Sequence, residues 1–259
     1  MERGPRRSEN AKRPESRRRY TREPMVKIVA FKAAWAGEAD CRKCSLRESV
    51  LFAGLREEDF ERIHHPIDQY VLPPGSVLYR AGDRGERMFT IRSGVLKLVQ
   101  YLPDGSQRIV RLIRTTDITG LEALLGQPYH HDAVVLQTTE VCSLPISVVS
   151  RLSQENPALH RELLNRWQRA LTEADAWITE LSTGSARQRV ARLLLRLVRE
   201  SSPSTCELFS REDMGAMLAI TTETASRTIA EFKRQSLLVE TETNCFLIDV
   251  PNLRRIAEE

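Results

Sequence analysis

The strongest constraint on the fold is a change of hydrophobic period near residue 157. From Val71 to Pro145 the apolar residues come in short alternating runs. Val77-Leu78-Tyr79-Arg80 stops at Ala81-Gly82-Asp83, and Met88-Phe89-Thr90-Ile91 at Arg92-Ser93-Gly94. Val95–Val99 stops at Pro103-Asp104-Gly105, and Arg108–Leu112 at Thr116-Asp117. Asp132–Leu136 and Glu140–Leu144 read as two further strands. Many short strands between Gly and Asp turns predict an antiparallel roll, not a parallel sheet with crossover helices.

After Pro157 the period lengthens. Leu159, Leu163, Trp167, Ala170, Ala174, Trp177 and Leu181 follow at intervals of 4, 4, 3, 4, 3 and 4, a stripe along one long helix. The opposite face is charged (Arg161, Arg166, Arg169, Glu173). A stripe of that length predicts a partner helix, with Trp167, Ala170, Ala174, Trp177 and Leu181 as the seam of a homodimer. The alternative is that the two tryptophans pack on the chain's own roll.

Ser182-Thr183-Gly184-Ser185 ends this helix and caps the next, whose inner face is Val190, Leu193, Leu194, Leu197 and Val198. Ser210-Arg211-Glu212-Asp213 opens a short helix, Ala219-Ile220 turns the chain, and Thr221 starts a second helix to about Gln235. Leu237–Glu240 and Cys245–Ile248 form a small hairpin. Two short helices joined by a tight turn, with a wing behind them, form a helix-turn-helix, and the partner is double-stranded DNA. Gly215 and Ala219 are small where the helices cross, and Ala225, Ile229 and Phe232 face inward. Glu223, Ser226 and Arg227 share the outward face. An Arg fork matches guanine O6/N7, a carboxylate accepts from cytosine N4, and a Ser meets either edge. Thr222, Thr228, Lys233 and Arg234 are the expected phosphate contacts. A simple Glu223–Arg227 pair across one helical turn is the plainer reading of two of these residues.

The whole is an α+β chain of 259 residues, expected to divide into a basic tail (1–40), a sensory β-roll (41–150), a dimerisation helix (151–183) and a winged helix-turn-helix (184–259). Residues 1–24 carry nine Lys/Arg against four Glu, so this segment is +5 and the rest of the chain, from a total of +4, is −1. That tail lacks the apolar residues of a core. It adds phosphate contacts or precedes the true start at Met25. No apolar run reaches the roughly 18 residues of a membrane helix, and no secretory signal opens the chain, which points to the cytoplasm. Nucleophile elbow, P-loop, dinucleotide loop and HExxH are all missing, so the chain is not expected to be an enzyme.

From about Cys41 onward the chain resembles the Crp/Fnr superfamily of bacterial regulators, in the branch of the fumarate and nitrate reduction regulator. The resemblance rests on Pro74-Gly75, Tyr79–Asp83, Met88–Gly94, Asp104-Gly105, Glu140–Pro145 and the helix-turn-helix. It implies a roll like those that bind cyclic nucleotides, a homodimer, contacts to RNA polymerase, and reading of TTGAT-type half-sites by Glu223, Ser226 and Arg227. It also implies where an effector would sit. In nucleotide-binding members the roll carries a Gly-Glu pair and an Arg-Ser pair, but here His130-His131-Asp132 stands where Arg-Ser would. An aspartate beside a cyclic phosphate is unfavourable, so cAMP is not the expected ligand. Oxygen-sensing relatives hold an iron–sulfur cluster on four cysteines. Cys41, Cys44 and Cys142 match three of them, and Val50 stands at the fourth position; Asp40 could serve as an oxygen ligand in its place. Cofactor-free control, and haem or another small ligand using His64-His65 or His130-His131, remain alternatives. Cys206 and Cys245 read as small buried hydrophobes.

Overall fold

A computed structural model describes residues 34–39, 44–46, 51, 67–199 and 202–259. Residues 1–33 of the basic tail, Asp40, Cys41, Val50 and His64-His65 lie outside the described residues, whereas 34–39, assigned to the tail from sequence, include a strand of the roll's sheet. The first sheet is antiparallel and runs β1 (Trp35–Glu38), β2 (Asp68–Leu72), β7 (Asp132–Pro145), β4 (Arg87–Tyr101), β5 (Gln107–Ile113) in spatial order. β3 (Val77–Tyr79) also pairs with β7, and β6 (Ile118–Thr119) with β4. Tyr79 stacks on Tyr129 with centroids 4.0 Å apart, and Phe89 lies 5.8 Å away on the other side, so aromatic rings fill the interior of the roll.

Two strands are longer than their sequence suggests. Met88–Ile91 and Val95–Val99 are halves of the single strand β4, and Asp132–Leu136 and Glu140–Leu144 are halves of β7. Register slips between Ile91 and Leu96 bend the pair without ending it. Gly94 makes that bend possible: its φ is +87°, and a Cβ there would stand 2.3 Å from the Thr138 carbonyl oxygen. A glycine in a strand can mark a bulge as well as a terminus.

Helices α1 (Ile146–Glu155) and α2 (Pro157–Leu181) follow. Asn156 caps the second, accepting hydrogen bonds from the backbone N–H groups of Ala158 and Leu159, with Pro157 at its first turn. Leu159 and Leu163 pack against β4, β7 and α1. Farther along, the structure corrects the expected seam. Trp177 and Leu181 are buried within their own chain, against Leu112 of β5 and Leu193 of the next helix. Ala170 and Ala174 are half-buried. The exposed apolar residues are Leu164, Trp167, Leu171 and Ile178, with exposures of 56, 39, 55 and 61%. Leu164, Leu171 and Ile178 are seven residues apart, so they form a second apolar face of the same helix.

Ser185 opens α3 (Ala186–Arg196) with a capping box closed by Gln188. The C-terminal unit then contains β8 (Val198–Arg199), β9 (Ser202–Glu207), α4 (Arg211–Leu218), α5 (Thr222–Arg234), β10 (Leu238–Glu242), β11 (Cys245–Ile248) and α6 (Val250–Glu258). Its sheet runs β10-β11-β9-β8. The last helix was not anticipated. Its signals are modest: Asp249 capping Asn252, Pro251 in the first turn, and the buried pair Leu253 and Ile256.

Because Gly94 combines positive φ with backbone contact, Gly94→Ala is expected to destabilise the fold by about 2–4 kcal/mol. Gly75→Ala, at φ +82° with nothing within 4 Å of a new Cβ, should cost only about 1 kcal/mol. Urea denaturation of the two variants measures the difference.

Candidate nucleic-acid interface

The second helix of the expected helix-turn-helix is α5, and the residues behind it hold it in the core. Ala225, Ile229 and Phe232 are buried in the core of the C-terminal unit. The Thr221 hydroxyl accepts the Thr224 N–H at 3.1 Å and starts the helix. Before it, α4 ends at Ala219, held at φ +52°. Ala219 is exposed, so its small size serves a left-handed turn; the close approach belongs to Gly215, where a Cβ would stand 2.7 Å from the Ile220 carbonyl oxygen. Arg187 of α3 grips the recognition helix from the side: its guanidinium donates to Glu231 at 2.6 Å and Gln235 at 2.9 Å, and lies 5.6 Å from the Phe232 ring centroid. Arg189 donates to the Leu218 carbonyl at 2.5 Å and fixes the end of α4. Sequence reasoning passed over both arginines, since only their partners' positions reveal them.

On the outer face, Glu223 and Arg227 pair at 2.5 Å, with side-chain exposures of 78 and 74%. Ser226 and Thr222 are also exposed on this helix. An exposed pair of this kind contributes a few tenths of a kcal/mol to about 0.5 kcal/mol at most, so it orients the guanidinium more than it stabilises the helix. Thr228 is a correction: it is buried, and its hydroxyl donates to the Thr224 carbonyl at 2.9 Å, so it does not face a phosphate. The Lys233 ammonium is already engaged, paired with Glu240 of the wing at 2.6 Å and sitting 4.9 Å from the Phe246 ring centroid. That hydrogen bond holds the Glu240 carboxyl below its ordinary value. Arg234 is exposed at the last turn.

The roll meets the C-terminal unit directly. Lys97 of β4 forms a salt bridge with Asp213 of α4, both side chains nearly buried. Gln107 of β5 donates to Glu212 at 3.0 Å, and Arg114 donates to the Arg196 carbonyl at 3.1 Å.

In the stretch where the family resemblance would put an effector, the Asp132 carboxylate accepts from the Ala81 N–H at 2.8 Å and lies 3.6 Å from Arg80. Glu122 accepts from the His130 N–H at 3.1 Å. Burial lowers the His131 imidazole pKa. Cys142 lies half-buried on β7. Burial pushes its thiol up to about 11, against an opposing pull from Arg92, and Cys44 is near enough to raise it further. Cys206 is buried on β9 and Cys245 half-buried on β11, in the other domain. Among the described residues no group of three or more His, Cys, Asp or Glu gathers to hold a metal. No described helix is long and apolar enough to cross a membrane.

The profile of the cyclic nucleotide-binding domain matches residues 70–156, and that of the Crp-like helix-turn-helix domain matches residues 188–256. The transcriptional activator protein anr of Pseudomonas aeruginosa is 28% identical over 227 residues, covering 85% of this chain and 93% of its own. The fumarate and nitrate reduction regulatory protein of Vibrio cholerae is 27% identical over 205 residues, covering 76% of this chain and 82% of its own. The structure of FixK2 from Bradyrhizobium japonicum superposes with a TM-score of 0.67 at 22% identity, over 73% of this chain and 96% of that one, a likeness of fold. With a cyclic nucleotide-binding domain and a Crp-like helix-turn-helix in sequence order on the shared fold, the chain is a member of the Crp/Fnr family of DNA-binding transcription regulators.

Proposed function

We propose that two copies of this chain pair along the long helix and read a pseudo-palindrome of TTGAT-N4-ATCAA type, one recognition helix per half-site. The observation that carries this reading is the solvent-facing Glu223–Arg227 pair on a helix whose other face is locked in the core. Glu223, Ser226 and Arg227 read base edges, and Thr222 and Arg234 flank them toward the phosphates. Lys233 reaches a phosphate only by leaving Glu240. The second copy covers Leu164, Trp167, Leu171 and Ile178, with Ala174 beside them; an apolar strip left in water would otherwise cost solubility. RNA polymerase is the further partner that the family resemblance implies, in keeping with the relatives' names as activators.

We further propose that the input is the redox state, registered at Cys41, Cys44 and Cys142. Cys44 and Cys142 are ninety-eight residues apart in sequence, yet interact electrostatically. Burial raises the Cys142 thiol pKa and makes it a poor nucleophile, which argues against direct thiol oxidation, whereas a bound metal would have to expel the proton against that shift. The four-thiolate set of a cubane cluster is not met, because Val50 offers no donor atom. An iron–sulfur group here would rest on three thiolates, those of Cys41, Cys44 and Cys142. Cyclic AMP is disfavoured by the stacked Tyr79 and Tyr129 rings and by the Asp132 carboxylate in the roll.

Three outcomes follow. Arg227→Ala should weaken binding to the cognate duplex by ~1–3 kcal/mol and relax discrimination at the contacted G·C pair, while nonspecific binding changes little. Equal losses on both kinds of DNA would refute base reading. Leu171→Glu should give monomers in sedimentation and lose palindrome binding, because two carboxylates would meet in the seam. Anaerobic reconstitution with iron and sulfide should give a visible chromophore that Cys142→Ser abolishes and Cys206→Ser preserves. A colourless, iron-free protein with oxygen-independent binding would overturn the redox reading.

A further inference from the structure

We infer that Lys97, a residue of the sensory roll, is the positioning residue that sets where the recognition helix sits. Asp213 occupies the third position of α4 and uses both carboxylate oxygens: Oδ1 takes the Lys97 ammonium, and Oδ2 accepts from the Ser210 hydroxyl at 2.8 Å. The Lys97 and Asp213 side chains are only 12 and 13% exposed. A buried charge that loses its partner is strongly destabilising, so this contact has one favoured geometry and resists intermediate ones. It also joins residues 116 apart in sequence, one on β4 and one on the first helix of the helix-turn-helix.

The geometry downstream is stiff. Gly215 packs α4 against the turn into α5, and Arg187 and Arg189 hold α5 and the end of α4 from α3. A shift of Asp213 therefore carries Glu223, Ser226 and Arg227 with it. In a dimer the two recognition helices must fall about 34 Å apart and face the same side of the duplex. The Gln107–Glu212 hydrogen bond runs parallel to the salt bridge, but joins two more exposed side chains and supplements it. Lys97 touches no DNA. It determines which spacing of half-sites the dimer accepts, and it is the route by which a change in the roll reaches that spacing.

This inference rests on the dimeric DNA-reading proposal, so its test avoids assuming the half-site sequence. Palindromic duplexes are first selected by the wild-type full-length protein from random-sequence DNA. Binding is then measured by fluorescence anisotropy on the selected palindrome, on versions with one base pair inserted or removed at the centre, and on a single half-site. For Lys97→Met, the preference for the native spacing should fall by about tenfold or more, while half-site affinity stays within about twofold of wild type. Lys97→Arg should restore the preference. The double variant Lys97→Ala/Asp213→Ala leaves no uncompensated buried charge and should behave like Lys97→Met, which covers the case in which the single variant does not fold. A folded Lys97→Met or double variant with wild-type spacing preference would overturn the inference. Selection of palindromes unrelated to TTGAT would instead refute only the proposed half-site.

Discussion

The structure depends on one apolar cluster at the meeting point of roll, long helix and C-terminal unit. Leu112 of β5, Trp177 and Leu181 of α2, and Leu193 and Leu194 of α3 belong to the same core as Phe232 behind the recognition helix. Truncating a buried aromatic such as Trp177 costs on the order of 3–5 kcal/mol. Because that core is shared, neither end can move without repacking the other. The polar contacts lie at its margin and set direction: Lys97–Asp213, Gln107–Glu212 and Arg114 to the Arg196 carbonyl. Apolar packing supplies adhesion with little orientational preference, whereas a buried ion pair fixes register.

Local signals in the sequence located local features well. The capping residues at Ser185, Ser210 and Thr221 mark helix starts because the cap bond spans only three residues. The reading face of α5 is legible for the same reason, since Glu223, Ser226 and Arg227 are fixed by helical spacing alone. Thr228 was misassigned because a threonine on a helix can turn its hydroxyl back to the carbonyl four residues earlier, and spacing does not show that choice. Gly94 read as a strand end because a bulge and a turn ask for the same residue.

The long helix shows why one stripe can be read for another. Residues at intervals of three and four appear on any face of a helix, and α2 carries two apolar faces. Leu159, Leu163, Trp177 and Leu181 face the chain itself, whereas Leu164, Leu171 and Ile178 do not. The two tryptophans straddle both strips: Trp177 is buried with the chain's own core, whereas Trp167 is exposed beside Leu164 and Leu171. Pairs such as Lys97–Asp213 and Gln107–Glu212 are illegible for a different reason: they are long-range, and nothing in the residues themselves shows which distant segments meet.

The two faces of α2 give it a mechanical role. One face is buried with β5 and α3, and the other carries the exposed, heptad-spaced Leu164, Leu171 and Ile178. A rigid helix cannot turn one face without turning the other, so in the proposed dimer a rotation imposed at the roll would alter the packing offered to the second copy. The same rotation moves Trp177 and Leu181, and with them the core behind α5. The segment holding Cys142 pairs directly with β4, opposite Thr90, seven residues from Lys97. The input proposed at Cys142 would have two routes through the sheet to α4 and α5. One runs by the Lys97 salt bridge and the other by the long helix, and both end on the same rigid pair α4 and α5. Agreement between the two is what a two-state regulator requires, because interfaces with discrete packings switch and do not bend gradually.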